Sequence, residues 1–518
     1  MCGIAGIIGP VASEERLNSM LARIAHRGEE AYQKEMKLLE QVVIGMNRLA
    51  IVDEHHGEQP FTNNEGVFCV FNGEIYNCPQ LRKELSEHCK FTTQCDTEVV
   101  LQAYVYWGER FVEKLDGKFA LCIIDVNQNC FILARDHIGI KPLHYADCGD
   151  SILFASEMKS FCDIPEVSEI HIIPPGSYMI NREIKQYYDV PSLAPSNSAI
   201  LQGVKNHLIN AVTKRIPQDS KKIACLLSGG LDSSIILYIA SQLPIEVEAF
   251  TFAHPSQPSA DLDAARRLCQ DLNIEHVIVS PDENELMDFY LSQGVYVTES
   301  YEPVLVRNAV SYHYVCKAVQ KKGYKFVLNG EGADELFGGY AFFKEVGAEI
   351  RDEVIRDSLL KLHRTYLQMA DRASMYTTLE ARVPYMDKAL IDYSMTFPSY
   401  FRINGIEDKW ALRQIFKEEL PDYITQRAKT GMNEGAGFGR NRPEESIYYK
   451  AVKNHYEVNP KSKEQDWDIC KAFNQIFKIN MDHLEEIYLF PRFIAYGYHR
   501  YELAKERLQL NTPLMRAL

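Results

Sequence analysis

The chain has no surplus of positive charge. Its 56 lysines and arginines are outnumbered by 71 aspartates and glutamates, for a formal charge of −15. That leaves no basic surface to neutralise phosphates and excludes a nucleic-acid partner. It has no CxxC pair either. The 13 cysteines stand singly along 518 residues, the pattern of reduced thiols in a cytoplasmic protein and not of a disulfide framework or zinc site. No apolar run approaches the roughly 18 residues of a membrane span, and no basic stretch leads into an apolar one near the start. Neither a signal peptide nor a membrane partner is therefore expected. GxxxxGK[ST] and GxGxxG are both absent, which removes the Walker-type and dinucleotide fingerprints. There is no internal repeat and no low-complexity tract.

What remains is the composition of a soluble globular protein, 46% hydrophobic and 25% charged, in a chain long enough for roughly two to four domains. Residues 1–190 carry short strand-like runs at 3–8, 42–46, 67–71, 120–125, 130–134, 152–155 and 177–180. Helical patterns at 14–25, 78–89 and 97–107 interrupt them, which implies layered sheets closed off by helices. The stretch Pro191-Ser192-Leu193-Ala194-Pro195-Ser196-Asn197-Ser198 reads as a linker spanning 191–199. From residue 200 onward strands alternate with helices, the rhythm of a parallel sheet covered on both faces. Beyond about 340 the pattern is mostly helical.

Cys2 is the first candidate for chemistry. Removal of Met1 would leave one residue with both a thiol and a free α-amine, whose reference pKa values of about 8.5 and 8 let it supply nucleophile and base together. Nearby in the sequence stand Arg48, which can meet a carboxylate, and Asn72-Gly73, whose side-chain amide and backbone N–H are the two donors an oxyanion hole needs. Asp96 can accept from a substrate amine. Singly these are weak signals: Asn-Gly also reads as a turn, and a lone arginine or aspartate as solvated surface. Together they describe a site for an amino-acid amide.

The second constellation, Ser228-Gly229-Gly230-Leu231-Asp232-Ser233-Ser234, lies between an apolar strand and an amphipathic helix. Successive glycines let N–H groups converge on an anion, the helix end adds its dipole, and Asp232 can hold a magnesium ion bridging phosphate oxygens. The spacing matches the pyrophosphate-binding loop of ATP-dependent adenylating enzymes. The third, Asn329-Gly330-Glu331-Gly332-Ala333-Asp334-Glu335, follows another apolar strand. Three carboxylates separated by glycines suit a second metal ligand and a general base.

These residues carry a family resemblance. The chain resembles a glutamine-dependent asparagine synthetase of the N-terminal-cysteine type, from residue 2 to about 440. The matching runs include CGIAGI, HRG (26–28), NRLAIVD, FNGEIYN, CDTEVV, RDHIGIKPL, SEMKS (156–160), LLSGGLDSS, LNGEGADELFGGY, KWALR (409–413) and RAKTG (427–431). The resemblance implies an α+β layered-sheet glutaminase domain of the N-terminal nucleophile type at 1–190. After the linker it implies an α/β synthetase domain at 200–518, with a parallel sheet and a helical C-terminal part. It implies a ligase that uses ATP and Mg2+, takes glutamine and aspartate, and works in the cytoplasm, with a homodimer left open.

Carried over residue by residue, Cys2 attacks the glutamine amide, and Asn72 and Gly73 hold the oxyanion. Arg48, Ile51, Val52, Glu74 and Asp96 bind glutamine. Leu227, Ser228, Gly229, Gly230, Asp232, Ser233, Ser234, His254, Asn329, Gly330 and Lys429 bind ATP. Glu331 assists formation and amination of the acyl-adenylate, Asp232 and Asp334 ligate magnesium, and Arg307 binds the acceptor. The chain also departs from the pattern. Glu29 and Glu30 replace a proline and an aspartate after HRG, and Asn329 replaces a serine. His254 stands where an apolar residue is usual, and Val304 and Leu305 stand where threonines are usual. The last departure keeps a different acceptor carboxylate open. A degenerate nucleotide or glutamine sensor is the reading of another class, against which Cys2, Asp232, Glu331 and Lys429 all speak.

Overall fold

The computed structural model describes residues 2–38, 41–53, 56–63, 65–192, 200–300, 303–431 and 435–436. Most of the expected linker and the whole chain beyond 436 lie outside them. The chain divides into two compact units. One runs to Asp189 and takes in the short segment Ser374–Glu380; the other begins at Val190, breaks at Ala373 and resumes at Ala381.

The first unit is the layered α+β domain expected, built on two six-stranded antiparallel sheets. One has the order His171–Ile172, His144–Cys148, Ser151–Ala155, Cys2–Ile8, Val42–Arg48, Glu29–Leu38. The other has Glu183–Gln186, Ser177–Ile180, Cys130–Arg135, Gly117–Asp125, Val67–Ile75, Phe61–Thr62. Side chains alternate along a strand, and this sets the layers. Cys2 and Ile4 join Val70, Ala120 and Cys122 in the core between the sheets. Cys69 and Phe71 turn the other way, onto Leu81, Val99 and Phe111 of the covering helices. The same alternation turns the next residue, Asn72, onto the face that Cys2 occupies. The helix Glu14–Arg23 is capped by Ser13, whose hydroxyl accepts from Arg16 N at 3.3 Å, with Glu14 and Glu15 in its first turn.

The second unit is the α/β domain, centred on a sheet of order Glu275–Val279, Glu246–Phe252, Lys222–Leu226, Phe326–Leu328, Glu380–Arg382. The first four strands pair in parallel. The chain steps outward from Lys222–Leu226 through Glu246–Phe252 to Glu275–Val279, then returns to the other side of Lys222–Leu226. The order therefore reverses between Lys222–Leu226 and Phe326–Leu328, the crevice where open α/β sheets bind ligands. Among the described residues no helix is long and apolar enough to cross a membrane.

One boundary differs from the sequence reading. The helix expected from Ser234 begins at Leu231, so Asp232 and Ser233 sit in its first turn. The helix Pro303–Lys321 opens on a favoured first-turn residue, and Arg307 lies inside it.

Candidate active sites

In the first unit the register of Cys2–Ile8 against Val42–Arg48 sets Cys2 opposite Arg48. The Cys2 N–H donates to Asn72 Oδ1 at 3.1 Å. Asn72 is fully buried, and its Nδ2 has no hydrogen-bond partner. A buried donor left over beside a thiol is what an oxyanion would use. Gly73 is in the strand Val67–Ile75, not in the turn that Asn-Gly alone would indicate. A Cβ there would lie 2.2 Å from Lys118 O and 2.7 Å from Phe119 Cα, so only glycine lets the neighbouring strand approach. Burial pushes the Cys2 thiol pKa up, against the pull of the terminal amine, a hydrogen bond from the Leu49 backbone and the Arg48 charge.

The loop over this site is fastened by Arg48, whose Nη2 donates to Asp53 O at 2.7 Å and Val52 O at 3.4 Å. Asp53 is in turn tied by Gln94 N, 2.8 Å from its Oδ2. Ile51 and Val52 are thereby held half-buried. Asp96 opens the helix Asp96–Trp107 and accepts from Ile75 N at 3.0 Å. Burial, and then the charge of Glu74, raise its pKa to about 6.

Beneath Cys2 lies a charged cluster to which the sequence reading gave no role. Arg27 Nε donates to Cys2 O at 3.2 Å, and its Nη1 lies 2.5 Å from Glu157 Oε1. Glu157 also meets Lys159 and His26 Nε2, the latter at 3.1 Å. Arg27, Glu157 and Lys159 are fully buried. Burial works against the Glu157 charge, but Lys159, His26 and Arg27 hold its carboxyl well below the usual range. The matched runs HRG and SEMKS were the available signal.

In the second unit a cleft opens at the reversal point of the sheet. It is lined by Leu227, Ser228, Gly230, Asp232, Ser233, Asn329, Gly330, Glu331, Asp334 and Lys429. The serine loop is braced from within: Ser228 N and Oγ both lie 3.1 Å from Ser233 Oγ. Gly229 adopts φ +70, and a Cβ there would come within 2.6 Å of Ala265 N and Asp261 O. Across the cleft a Cβ on Gly330 would lie 2.9 Å from Ser233 N, so the two motifs pack backbone to backbone. Asn329 Oδ1 accepts from Glu331 N at 3.0 Å while Nδ2 donates to Tyr312 Oη at 2.7 Å.

Four charges gather on the cleft wall. Lys409 Nζ lies 2.5 Å from both Asp232 Oδ2 and Asp334 Oδ1; Lys429 Nζ lies 2.6 Å from Asp334 Oδ2. Burial opposes the Asp334 charge, yet Lys409 and Lys429 hold its pKa down at about 2. Burial and the neighbouring Glu335 push Glu331 up to about 8, close to neutrality as a general acid or base needs. Lys409 and Arg427, which donates to Gly229 O at 2.8 Å and Asp261 Oδ1 at 2.6 Å, also line the cleft. Neither was assigned a role, although both sit in the matched runs KWALR and RAKTG.

Four assigned residues do not line the cleft. Gly229 is buried, and Ser234 is fully buried in the helix. His254 is buried, and its Nδ1 accepts from Ser256 N at 3.3 Å. Arg307 stands in the helix Pro303–Lys321.

A glutamine amidotransferase domain model matches residues 1–210, and an asparagine synthase model matches 203–356 and 347–446. The chain is 32% identical over 472 residues to "Asparagine synthetase, nodule [glutamine-hydrolyzing]" of Pisum sativum, covering 85% of this chain and 79% of that protein. It is 33% identical over 467 residues to "Asparagine synthetase [glutamine-hydrolyzing] 3" of Arabidopsis thaliana, with the same coverage. A second Arabidopsis thaliana relative, "Asparagine synthetase [glutamine-hydrolyzing] 1", is 30% identical and extends the match to 95% of this chain and 86% of its own length.

Proposed function

The chain belongs to the glutamine-hydrolysing asparagine synthetase family, and from that premise we propose that it amidates aspartate to asparagine, with ATP as energy source and glutamine as nitrogen donor. The observation that carries the reading is the cleft at the sheet's reversal point. A serine–glycine loop, two carboxylates and two lysines converge there, in a chain that also buries a cysteine beside an unpaired amide donor.

In the first unit the Cys2 thiolate attacks the glutamine side-chain amide. Asn72 Nδ2 and the Gly73 N–H receive the oxyanion, and the α-amine freed by removal of Met1 moves the protons. Asp96 and Glu74 take the substrate ammonium, and the loop fastened by Arg48 closes over it. In the second unit the Ser228–Ser234 loop binds the triphosphate, and Lys429 meets the departing pyrophosphate. Glu331 takes a proton from the attacking ammonia as the acyl-adenylate is converted to the amide, releasing AMP.

Asp232 and Asp334 would hold Mg2+. The fit is supported by Asp232 Oδ1, which is buried without a hydrogen-bond partner, and by the habit of magnesium of completing its shell with phosphate oxygens. When bound, the ion would neutralise charge on the leaving pyrophosphate. The free thiols support a reducing, cytoplasmic setting.

A Cys2→Ala variant tests the division of labour. It should form no glutamate from glutamine yet release pyrophosphate and make asparagine from added ammonium at near the parental rate. Glutamine-dependent synthesis at the normal rate in that variant would overturn the reading.

A further inference from the structure

Two carboxylates sharing one site repel unless a cation lies between them. Here that cation is a lysine, 2.5 Å from each of Asp232 and Asp334. Three features separate Lys409 from an ordinary surface lysine. Its side chain is only 2% exposed. Its backbone takes φ +49, a left-handed conformation that is unfavourable for a non-glycine residue. Gly339 makes room for it: a Cβ there would come within 2.2 Å of Lys409 Cε and 2.0 Å of Asp334 Oδ1. Lys429, at 2.6 Å from Asp334 and 3.8 Å from Asp232, closes the other side. Within this foursome two ammonium groups balance two carboxylates.

We propose that Lys409 is the resident cation of this carboxylate pair. It holds Asp232 and Asp334 together between turnovers and denies them to free divalent metal, so that Mg2+ enters only as its nucleoside triphosphate complex. The inference rests on the reading of Asp232 and Asp334 as metal ligands. A free hydrated ion would have to lose water and expel an ammonium held by two short charge-assisted contacts. A triphosphate changes that balance, because its oxygens offer both lysines new partners while supplying most of the metal's ligands. Asp232 Oδ1, buried and unpartnered, is the acceptor left for an ion that arrives already chelated. Lys409 is a positioning residue in this scheme: it acts through the carboxylates and not on the reacting atoms.

Mn2+ binding to the full-length protein, followed by electron paramagnetic resonance, tests this independently of turnover. Without nucleotide the parent should bind Mn2+ weakly, and α,β-methylene-ATP should produce a tight ternary complex that Asp232→Asn abolishes. Lys409→Met should raise nucleotide-free Mn2+ affinity by at least about tenfold, since one positive charge between two carboxylates is gone, while Lys409→Arg should match the parent. If Lys409→Met does not fold, Lys429→Met should show a smaller gain of the same sign. A ternary complex that forms normally while neither lysine variant gains affinity would overturn the proposal and leave the metal reading standing. Tight Mn2+ binding to the nucleotide-free parent would overturn it equally. Absence of Mn2+ from the parent's ternary complex would remove the metal reading and this inference with it.

Discussion

Asp96 shows how a single residue's surroundings set its working range. It sits at the start of the helix Asp96–Trp107, buried, beside Glu74, and its carboxyl is raised to about 6. The neutral form therefore predominates below pH 6 in the free enzyme, and a neutral carboxyl cannot hold the ammonium of glutamine. The sign follows: kcat/KM for glutamine hydrolysis should fall as pH drops through about 6, roughly tenfold for each further pH unit, because kcat/KM reports the free enzyme. Ammonium-dependent synthesis does not use this site and, compared at constant free ammonia, should not show that limb. Stopped assays of glutamate release across pH 5 to 8 would measure it, and Asp96→Asn should be slow at every pH with the limb gone. A profile flat down to pH 5 in the parent would remove Asp96 from the site.

Elements, more than residues, were what the sequence disclosed. The strand Cys2–Ile8 and its partner Val42–Arg48 were visible because both are apolar runs ended by polar or glycine residues. The strand Glu29–Leu38 was not, because half of its residues are charged and they break any apolar run. It occupies the sheet's edge, where charge guards against unwanted pairing and costs little. Asn72 was picked out by its type, but its meeting with Cys2 depends on strand alternation and on pairing between distant segments, which no local pattern states. Lys409 and Glu157 were passed over for a related reason. Lysines and glutamates are read as solvated until a structure shows what encloses them. Glycines, by contrast, announced constraint without saying which. At Gly339 the constraint is the Lys409–Asp334 contact, so Gly339→Ala should drive those groups apart. ATP-dependent pyrophosphate release should fall at least about a hundredfold, the scale of a displaced catalytic group, while glutamine hydrolysis in the other unit stays intact. Equal loss of both activities would point to misfolding instead.

For the molecule as a whole, the question the sequence left open was the acceptor. Val304 and Leu305 stand where the family usually carries threonines, and their loss looked like a pocket made less polar. Leu305 is 1% exposed, and Val306, also 1% exposed, would meet a Cβ on Gly294 at 2.7 Å. This turn of the helix Pro303–Lys321 is thus committed to packing, and Leu305 follows its neighbours into the core. Burial explains Leu305; Val304, only half-buried, has no such explanation in the structure. Cationic and hydroxyl-bearing side chains line the cleft and suit an acid with a second carboxylate, and the family match points among such acids to aspartate. Aspartate should therefore elicit pyrophosphate release at least about tenfold better, as kcat/KM, than glutamate, whose one extra methylene is worth about 1–3 kcal/mol of discrimination, and far better than succinate, which lacks the amine. Pyrophosphate and asparagine should appear in equal amounts when glutamine is present. A panel run at matched ATP, magnesium and glutamine would decide it. If glutamate forms freely while aspartate yields neither pyrophosphate nor asparagine, and another acid in the panel yields both pyrophosphate and an amide, the acceptor is that acid.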